Sequence, residues 1–245
     1  MTIALPARAK LNLDLEVVRR RPDGYHDIRT TVQAIELHDL LLIARADETA
    51  LTLSGLSVRN NDNSVLKAHA AVEHAAGRKL PAAFHLHKRI PPGSGMGGAS
   101  SDAAAALRGM RAIFQLDLDL EELAADVGSD VPFFLHSGGA ARLEGRGERI
   151  TPLAAGTTWF ALAWPGIELS TKDVYKAWDQ VHGDGLRPAA EHLEPRLGEF
   201  ARRLGPGWRM TGSGSAFFKL ADTEQEAKAA VAGLDCWKAV SRAAA

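Results

Sequence analysis

The chain carries one cysteine, Cys236, in 245 residues. A single thiol closes no internal disulfide and builds no cysteine-based zinc site, and it suits a reducing compartment. Neither sign of charge dominates. Lys plus Arg number 29 against 30 Asp plus Glu, a formal net charge of −1, which gives no global electrostatic reason to bind nucleic acid or an acidic membrane. No apolar run approaches the roughly 18–20 residues that span a bilayer. The opening stretch MTIALPARAKLNLDLEVV carries charges throughout, unlike a signal peptide. A cytoplasmic protein is expected, a monomer or weak homodimer, with no nucleic-acid or membrane partner. Aromatic residues are also few, at 6% with only two tyrosines, so a tyrosine on a loop draws attention.

Hydrophobic residues at 46% and charged residues at 24% are the proportions of an ordinary globular protein. Strict alternation from Lys10 to Val18 predicts one half-buried strand, with Lys10, Asn12, Asp14 and Glu16 on its polar side. Further strands are expected over 31–46, 50–56, 84–87, 158–164, 215–221 and 236–240. Helices are expected over 65–76, closed by Gly77, over 103–114, and from a cap at Asp119 through Val127 to Gly128. A new helical start follows at Ser129-Asp130-Val131-Pro132. Later helices are expected over 172–180, 190–204 and 222–233. Asn60 to Ser64 reads as a loop with capping residues. Thr151–Thr158 reads as a linker, dividing the chain into 1–153 and 154–245. Strands precede and separate the helices without regular βαβ alternation, which is an α+β pattern.

The 23 glycines are clustered, most densely in PPGSGMGGASSD, residues 91–102. The segment satisfies G-x-G-x-x-G, a weak signal alone. It has no terminal Gly-Lys-Ser/Thr, so it is no Walker loop, and no companion protein-kinase motif accompanies it. A Rossmann loop needs a strand running directly into the first glycine. Here two prolines intervene after the basic HLHKRI, although Asp117 and Asp119 lie near the distance of a ribose-binding acid. What remains is a glycine-rich turn opening a helix. Its backbone can approach an anion closely, its N–H groups can converge on one oxygen, and the helix adds its positive end. Ser100 and Ser101 supply hydroxyls for phosphate or Mg²⁺. His85 and His87, two apart on one strand, have no third ligand at sensible spacing and read as solvated strand positions.

This loop resembles the phosphate loop of the GHMP kinases, which include galactokinase, homoserine kinase, mevalonate kinase and phosphomevalonate kinase. The resemblance extends over nearly the whole chain: AKLNL (9–13), DGYH (23–26), DNSVLKA (62–68), PPGSGMGGASSDAA (91–104), GSDVPFF (128–134) and MTGSGSAFF (210–218). Within the family, residues 6–30 resemble the branch that acts on 4-diphosphocytidyl-2-C-methyl-D-erythritol in the non-mevalonate route to isoprenoids. The resemblance implies a two-domain α+β fold, with an amino-terminal domain like ribosomal protein S5 domain 2, a ferredoxin-like carboxy-terminal domain and the active site in the cleft between them. It implies ATP and Mg²⁺, and a small-molecule alcohol as acceptor. Met96, Ala99 and Asp102 stand where Leu, Gly and Asn are commoner in the family.

Phosphoryl transfer asks for positioning and charge neutralisation. The resemblance assigns Asp130 as the base, although a first-turn aspartate also stabilises helices. It pairs Lys10 with Asp130; the ammonium would keep the carboxyl ionised and bind the acceptor oxygen as it loses its proton. Asn12, on the same side of the strand as Lys10, suits a substrate hydroxyl or phosphate. ATP is assigned to Pro92, Gly93, Ser94, Gly95, Met96, Gly97, Gly98, Ala99, Ser100, Ser101 and Asp102, together with Asn63, which could equally cap the helix after it. Tyr25 is implied to stack on cytosine, with Tyr175 on the opposite face and His26 bonding the base edge. Gly212-Ser213-Gly214 resembles a third family motif, or is a plain turn. Two rivals remain: another GHMP kinase of the homoserine or mevalonate type, and a non-catalytic nucleotide- or RNA-binding module. Tyr25, His26 and Tyr175 speak against the first; retention of Lys10 and Asp130 and the near-neutral charge speak against the second.

Overall fold

The computed structural model describes residues 1–56, 63–136, 139–154 and 156–244, so Asn60, Asn61 and Asp62 of the expected loop lie outside the described residues. Two compact units are present, each assembled from separated stretches of chain. The first takes Met1–Ala9, His38–Ile90 and Gly97–Ser137; the second takes Lys10–Leu37, Pro91–Met96 and Gly138–Ala245. Strands β1 (Thr2–Asn12) and β3 (His26–Arg45) each contribute residues to both.

In the first unit, the end of β3 pairs antiparallel with β5 (Ala82–Lys88), setting Ile43 opposite Phe84. β5 pairs in parallel with β4 (Ala50–Gly55). Helix α1 (Ser64–Ala76) starts at Asn63, whose Oδ1 accepts from the Val65 N–H at 2.9 Å, and stops at Gly77 in the left-handed region. Helices α2 (Gly98–Phe114), α3 (Leu120–Val127) and α4 (Val131–His136) follow. Ala103 to Ala106 on α2 are completely buried. A Cβ at Gly109 would lie 2.2 Å from Ile43 Cδ1 and 2.8 Å from Leu5 Cδ1, so the missing side chain sets how closely α2 approaches the strands. Asp119 caps α3 through the Glu121 N–H.

In the second unit, the start of β3 pairs with β2 (Glu16–Arg20) on one side and β6 (Ala140–Gly145) on the other, and β6 pairs with β7 (Arg149–Leu153), all antiparallel. The chain continues through β8 (Trp159–Trp164), α5 (Thr171–Val181), α6 (Arg187–Leu193), α7 (Arg196–Leu204), β9 (Arg209–Met210), β10 (Phe217–Ala221), α8 (Glu224–Val231) and β11 (Trp237–Arg242). These strands form an antiparallel sheet in the order β11-β8-β10-β9. With α5 between β8 and β9 and α8 between β10 and β11, this is the β-α-β-β-α-β ferredoxin-like arrangement, with α6 and α7 added. Val174, Trp178, Leu197, Phe200, Phe217 and Val231 form its core. Among the described residues no helix is long and apolar enough to cross a membrane.

Three expectations are corrected. The strand foreseen over 10–18 is broken at Leu13–Leu15. There Asp14 Oδ1 accepts from the Thr31 N–H at 2.6 Å and the Asp14 carbonyl accepts from the Thr30 hydroxyl at 2.5 Å, so at Asp14 bonds that involve side chains, across to β3, stand in for the regular ladder. The helix foreseen over 190–204 is two helices, because Pro195 lacks an N–H and drives Glu194 out of the helical region to φ −140°. Thr151–Leu153, foreseen in a linker, belong to β7 and pair with Ala140 to Arg142.

Candidate active site

The second unit builds a polar relay at the end of β1. Lys10 is 7% exposed, and its Nζ donates to Asn12 Oδ1 at 2.6 Å. Asn12 Nδ2 donates to Thr30 Oγ1 at 2.9 Å, and Thr30 in turn donates to the Asp14 carbonyl. The direction of donation fixes the Asn12 amide, oxygen toward Lys10 and nitrogen toward Thr30. Asn12, assigned from sequence to substrate, is therefore first of all the holder of Lys10. The Asn12 N–H donates to Thr211 Oγ1 at 2.9 Å, bringing in the loop before β10. A Cβ at Gly212 would lie 2.9 Å from Asn12 Oδ1 and 3.6 Å from Lys10 Nζ. Gly212-Ser213-Gly214 is thus a close-packed wall of this relay rather than a plain turn.

The same wall holds the first half of the glycine loop. Lys10 N–H donates to the Met96 carbonyl at 2.9 Å, Ala216 N–H to the Ser94 carbonyl at 2.9 Å and Leu169 N–H to the Gly93 carbonyl at 3.2 Å. Ser94 Oγ turns back to the Pro91 carbonyl at 2.6 Å. Gly95 has φ +77°, and a Cβ there would sit 2.4 Å from the Thr211 carbonyl oxygen and 2.9 Å from Gly214. The space a side chain would need is filled by protein backbone, so the glycine is required by loop packing before any ligand arrives. Gly95→Ala should destabilise by about 1–2 kcal/mol from the left-handed conformation alone, and by more through the clash. Gly24→Ala, at φ +83° with nothing within 4 Å of the added carbon, carries only the first cost. Urea midpoints of the two variants check this: equal losses would remove the packing argument.

In the first unit the loop runs into α2 with Gly97 as its N-cap and no side-chain cap, leaving the first N–H groups of that helix for another acceptor. Ser100 is half-buried and Ser101 buried, so Ser100 is the more accessible hydroxyl. Asp102 is 2% exposed and its Oδ2 accepts from Lys88 Nζ at 2.6 Å. Lys88 also donates to Asp39, whose other oxygen takes the N–H groups of Arg89 and Ile90 at 2.5 and 2.8 Å. One buried ammonium thus serves two buried carboxylates, and Asp102 Oδ1 has no hydrogen-bond partner among the described residues. Burial pushes the Asp102 carboxyl well above the ordinary range, partly opposed by Lys88 and reinforced by Asp39. For Lys88 burial acts downward, but the two carboxylates outweigh it and hold the ammonium above its usual value. Asp130, half-buried, immediately precedes α4. Asn63 caps α1 as its alternative reading held. His85 and His87 both meet Ser54 Oγ, at 3.1 and 3.0 Å, on the neighbouring strand.

The second unit also holds the aromatic residues. Tyr25 is 52% exposed on the turn between β2 and β3, with the Arg146 guanidinium 4.9 Å above its ring. His26 is buried; Tyr175 lies nearly parallel to its imidazole, with centroids 4.9 Å apart and planes at 25°.

Residues 63–138 match the model of the GHMP kinases N terminal domain. A 4-diphosphocytidyl-2-C-methyl-D-erythritol kinase of Shewanella loihica is 36% identical, across 92% of this chain and 87% of that protein. One of Symbiobacterium thermophilum is 40% identical across 79% of this chain and 70% of the relative. A crystal structure of 4-(cytidine 5'-diphospho)-2C-methyl-D-erythritol kinase superposes with a TM-score of 0.84 at 33% identity, over 99% of this chain and 100% of that one. The chain belongs to the 4-diphosphocytidyl-2-C-methyl-D-erythritol kinase family.

Membership in this kinase family gives the two-unit α+β fold its context, and it sharpens which parts the sequence did not reveal. Thr30 and Thr211 lie inside stretches that carry the resemblance, but nothing in those stretches tells that both bond Asn12. Lys88 and Asp39 are missed because only the β3–β5 register, Leu40 opposite His87, brings them side by side. The kinase-family chain also has a cavity of about 530 Å³ in its second unit, bordered by Asn12, Arg29, Arg142, Arg187, Arg209 and Gly212. No motif foreshadowed it, since its four arginines come from four different segments of sequence.

Proposed function

We propose that the chain transfers the terminal phosphoryl group of ATP to the 2-hydroxyl of 4-diphosphocytidyl-2-C-methyl-D-erythritol. The observation that carries this reading is the conjunction, within one unit, of a lysine locked by Asn12 under a glycine loop with the His26–Tyr175 aromatic pair. The first is machinery for phosphoryl transfer; the second is suited to a flat heterocycle, which homoserine and mevalonate lack.

In this reading Asp130 accepts the proton of the 2-hydroxyl, and the Lys10 ammonium steadies the oxygen as negative charge develops. Asn12 aims Lys10. The glycine loop and the uncapped N–H groups of α2 take phosphate oxygens. The arginine-bordered cavity beside Asn12 suits the phosphate-bearing part of the substrate. Mg²⁺ would neutralise the β- and γ-phosphates; among the described residues there is no preformed cluster of three His, Cys, Asp or Glu, so phosphates and water would supply most ligands, with the Ser100 hydroxyl within the first turn of α2.

Tyr25→Ala should weaken the cytidine substrate by about 1–3 kcal/mol, roughly 5–150-fold, while ATP affinity holds. Separate titrations with the substrate and with an ATP analogue measure the two; a loss confined to ATP would reverse the assignment of the pockets. The overall reading is tested by ADP release with 4-diphosphocytidyl-2-C-methyl-D-erythritol, mevalonate and homoserine in parallel. Turnover should be confined to the first, and preference for either of the others would overturn it.

A further inference from the structure

Helix α5 grips the imidazole of His26 from three directions. Tyr175, Trp178 and Asp179 stand at i, i+3 and i+4 and so share one face of the helix. Tyr175 covers the flat of the ring, Trp178 meets it edge-on at 5.6 Å and 85°, and Asp179 Oδ1 lies 2.7 Å from His26 Nε2. The second oxygen of Asp179 is held by Arg20 Nε at 3.4 Å, and Arg20 is the cross-strand partner of His26. The carboxylate is therefore fixed from the strand side and the helix side together.

A carboxylate accepts and does not donate, so the proton of the His26–Asp179 bond sits on Nε2. In the neutral ring this leaves the lone pair on Nδ1. We propose that Asp179 is a positioning residue that sets the His26 tautomer and thereby makes the site read an amino group rather than a carbonyl, selecting cytosine over uracil. Cytosine carries an amino donor at its 4-position; uracil carries a carbonyl oxygen there, and two acceptors face each other unproductively. A base bonded in the plane of the imidazole would also slide beneath the same phenol ring, because Tyr175 lies within 25° of that plane. The inference rests on the proposed cytidine substrate and on His26 facing its base.

The test measures CDP and UDP as competitive inhibitors against the cytidine substrate, in the wild type, Asp179→Asn, Asp179→Glu and His26→Ala. An asparagine amide can donate to Nε2 and move the ring proton to Nδ1. Asp179→Asn should therefore shrink the preference for CDP about tenfold or more, with kcat at saturating substrate changed far less than KM, and Asp179→Glu should restore it. If His26→Ala abolishes the preference and Asp179→Asn leaves it intact, the tautomer inference falls while the base-reading role of His26 stands. If neither variant alters the preference, the cytidine-reading assignment of His26 falls, and this inference with it. Nitrogen-15 spectra of the histidine rings in the folded wild type give an answer independent of any variant: His26 should show a protonated Nε2 and a bare Nδ1, and the reverse pattern overturns the proposal.

Discussion

Lys88→Met should destabilise the protein by about 3–5 kcal/mol, the usual consequence of removing one partner from a buried ionic group. Methionine fills nearly the same volume, so the loss comes from electrostatics rather than a cavity. It leaves Asp39, fully buried, and Asp102, 2% exposed, with their facing oxygens stripped of a cation. Against a typical total of about 5–15 kcal/mol the change is large, and it should lower the melting temperature by roughly 6–20 °C for a chain of this size. Asp102→Asn in the same background should recover part of the loss, since one buried charge goes with it. Alone, Asp102→Asn should alter the pH dependence. Between the ordinary carboxylate value and the raised value of Asp102, the native state holds a proton that the unfolded chain has released. Stability must therefore fall as pH rises through that window, and the asparagine variant removes that contribution. Urea midpoints at pH 5 and pH 8 measure both effects. A Lys88→Met loss below about 1 kcal/mol would show that the cluster is not the buried ionic centre described here.

Asp130→Asn should lower kcat by about 10²–10⁴-fold, or about 3–5 kcal/mol in the barrier, with ATP affinity nearly intact. The amide keeps the shape of the carboxylate but cannot take the proton of the acceptor hydroxyl. Lys10→Met should act in the same direction, and the double variant should lose less than the product of the single losses, as groups that act as a unit do. Steady-state rates of the three variants, with ATP-analogue binding as the control for folding, decide it. Near-normal turnover in Asp130→Asn would return this residue to the role of a helix-start aspartate and require another base.

Local signals were legible and distant ones were not. Asn63 and Gly77 mark the ends of α1, and Asp119 the start of α3, because a cap is written within a few residues of the turn it completes. Lys10 and Asn12 could be placed on one side because strand periodicity says so, yet the bond that makes Asn12 the keeper of Lys10 needed Thr30 and Thr211 to fix its amide. The glycine loop announced itself, but for an incomplete reason: Gly95 must be bare because Thr211 and Gly214 occupy the space beside it. Lys88 read as one more charge on a basic strand. Its partners lie 49 and 14 residues away, and register alone joins them. The His26–Asp179 bond spans 153 residues, and no local pattern encodes it.

The interleaving of the two units has a consequence during synthesis. Lys10–Leu37 belongs to a unit whose remainder, apart from Pro91–Met96, begins only at Gly138. Thr211, which fixes Asn12, emerges 199 residues after it, a delay of about 10–40 s at ordinary ribosomal rates of roughly 5–20 residues per second. Through that interval Val17 waits for Trp178, Leu186 and the rest of its core, and the strands around it present unpaired edges. The amino-terminal strands therefore stay without their full core until the segments carrying Val174 to Val231 have been made.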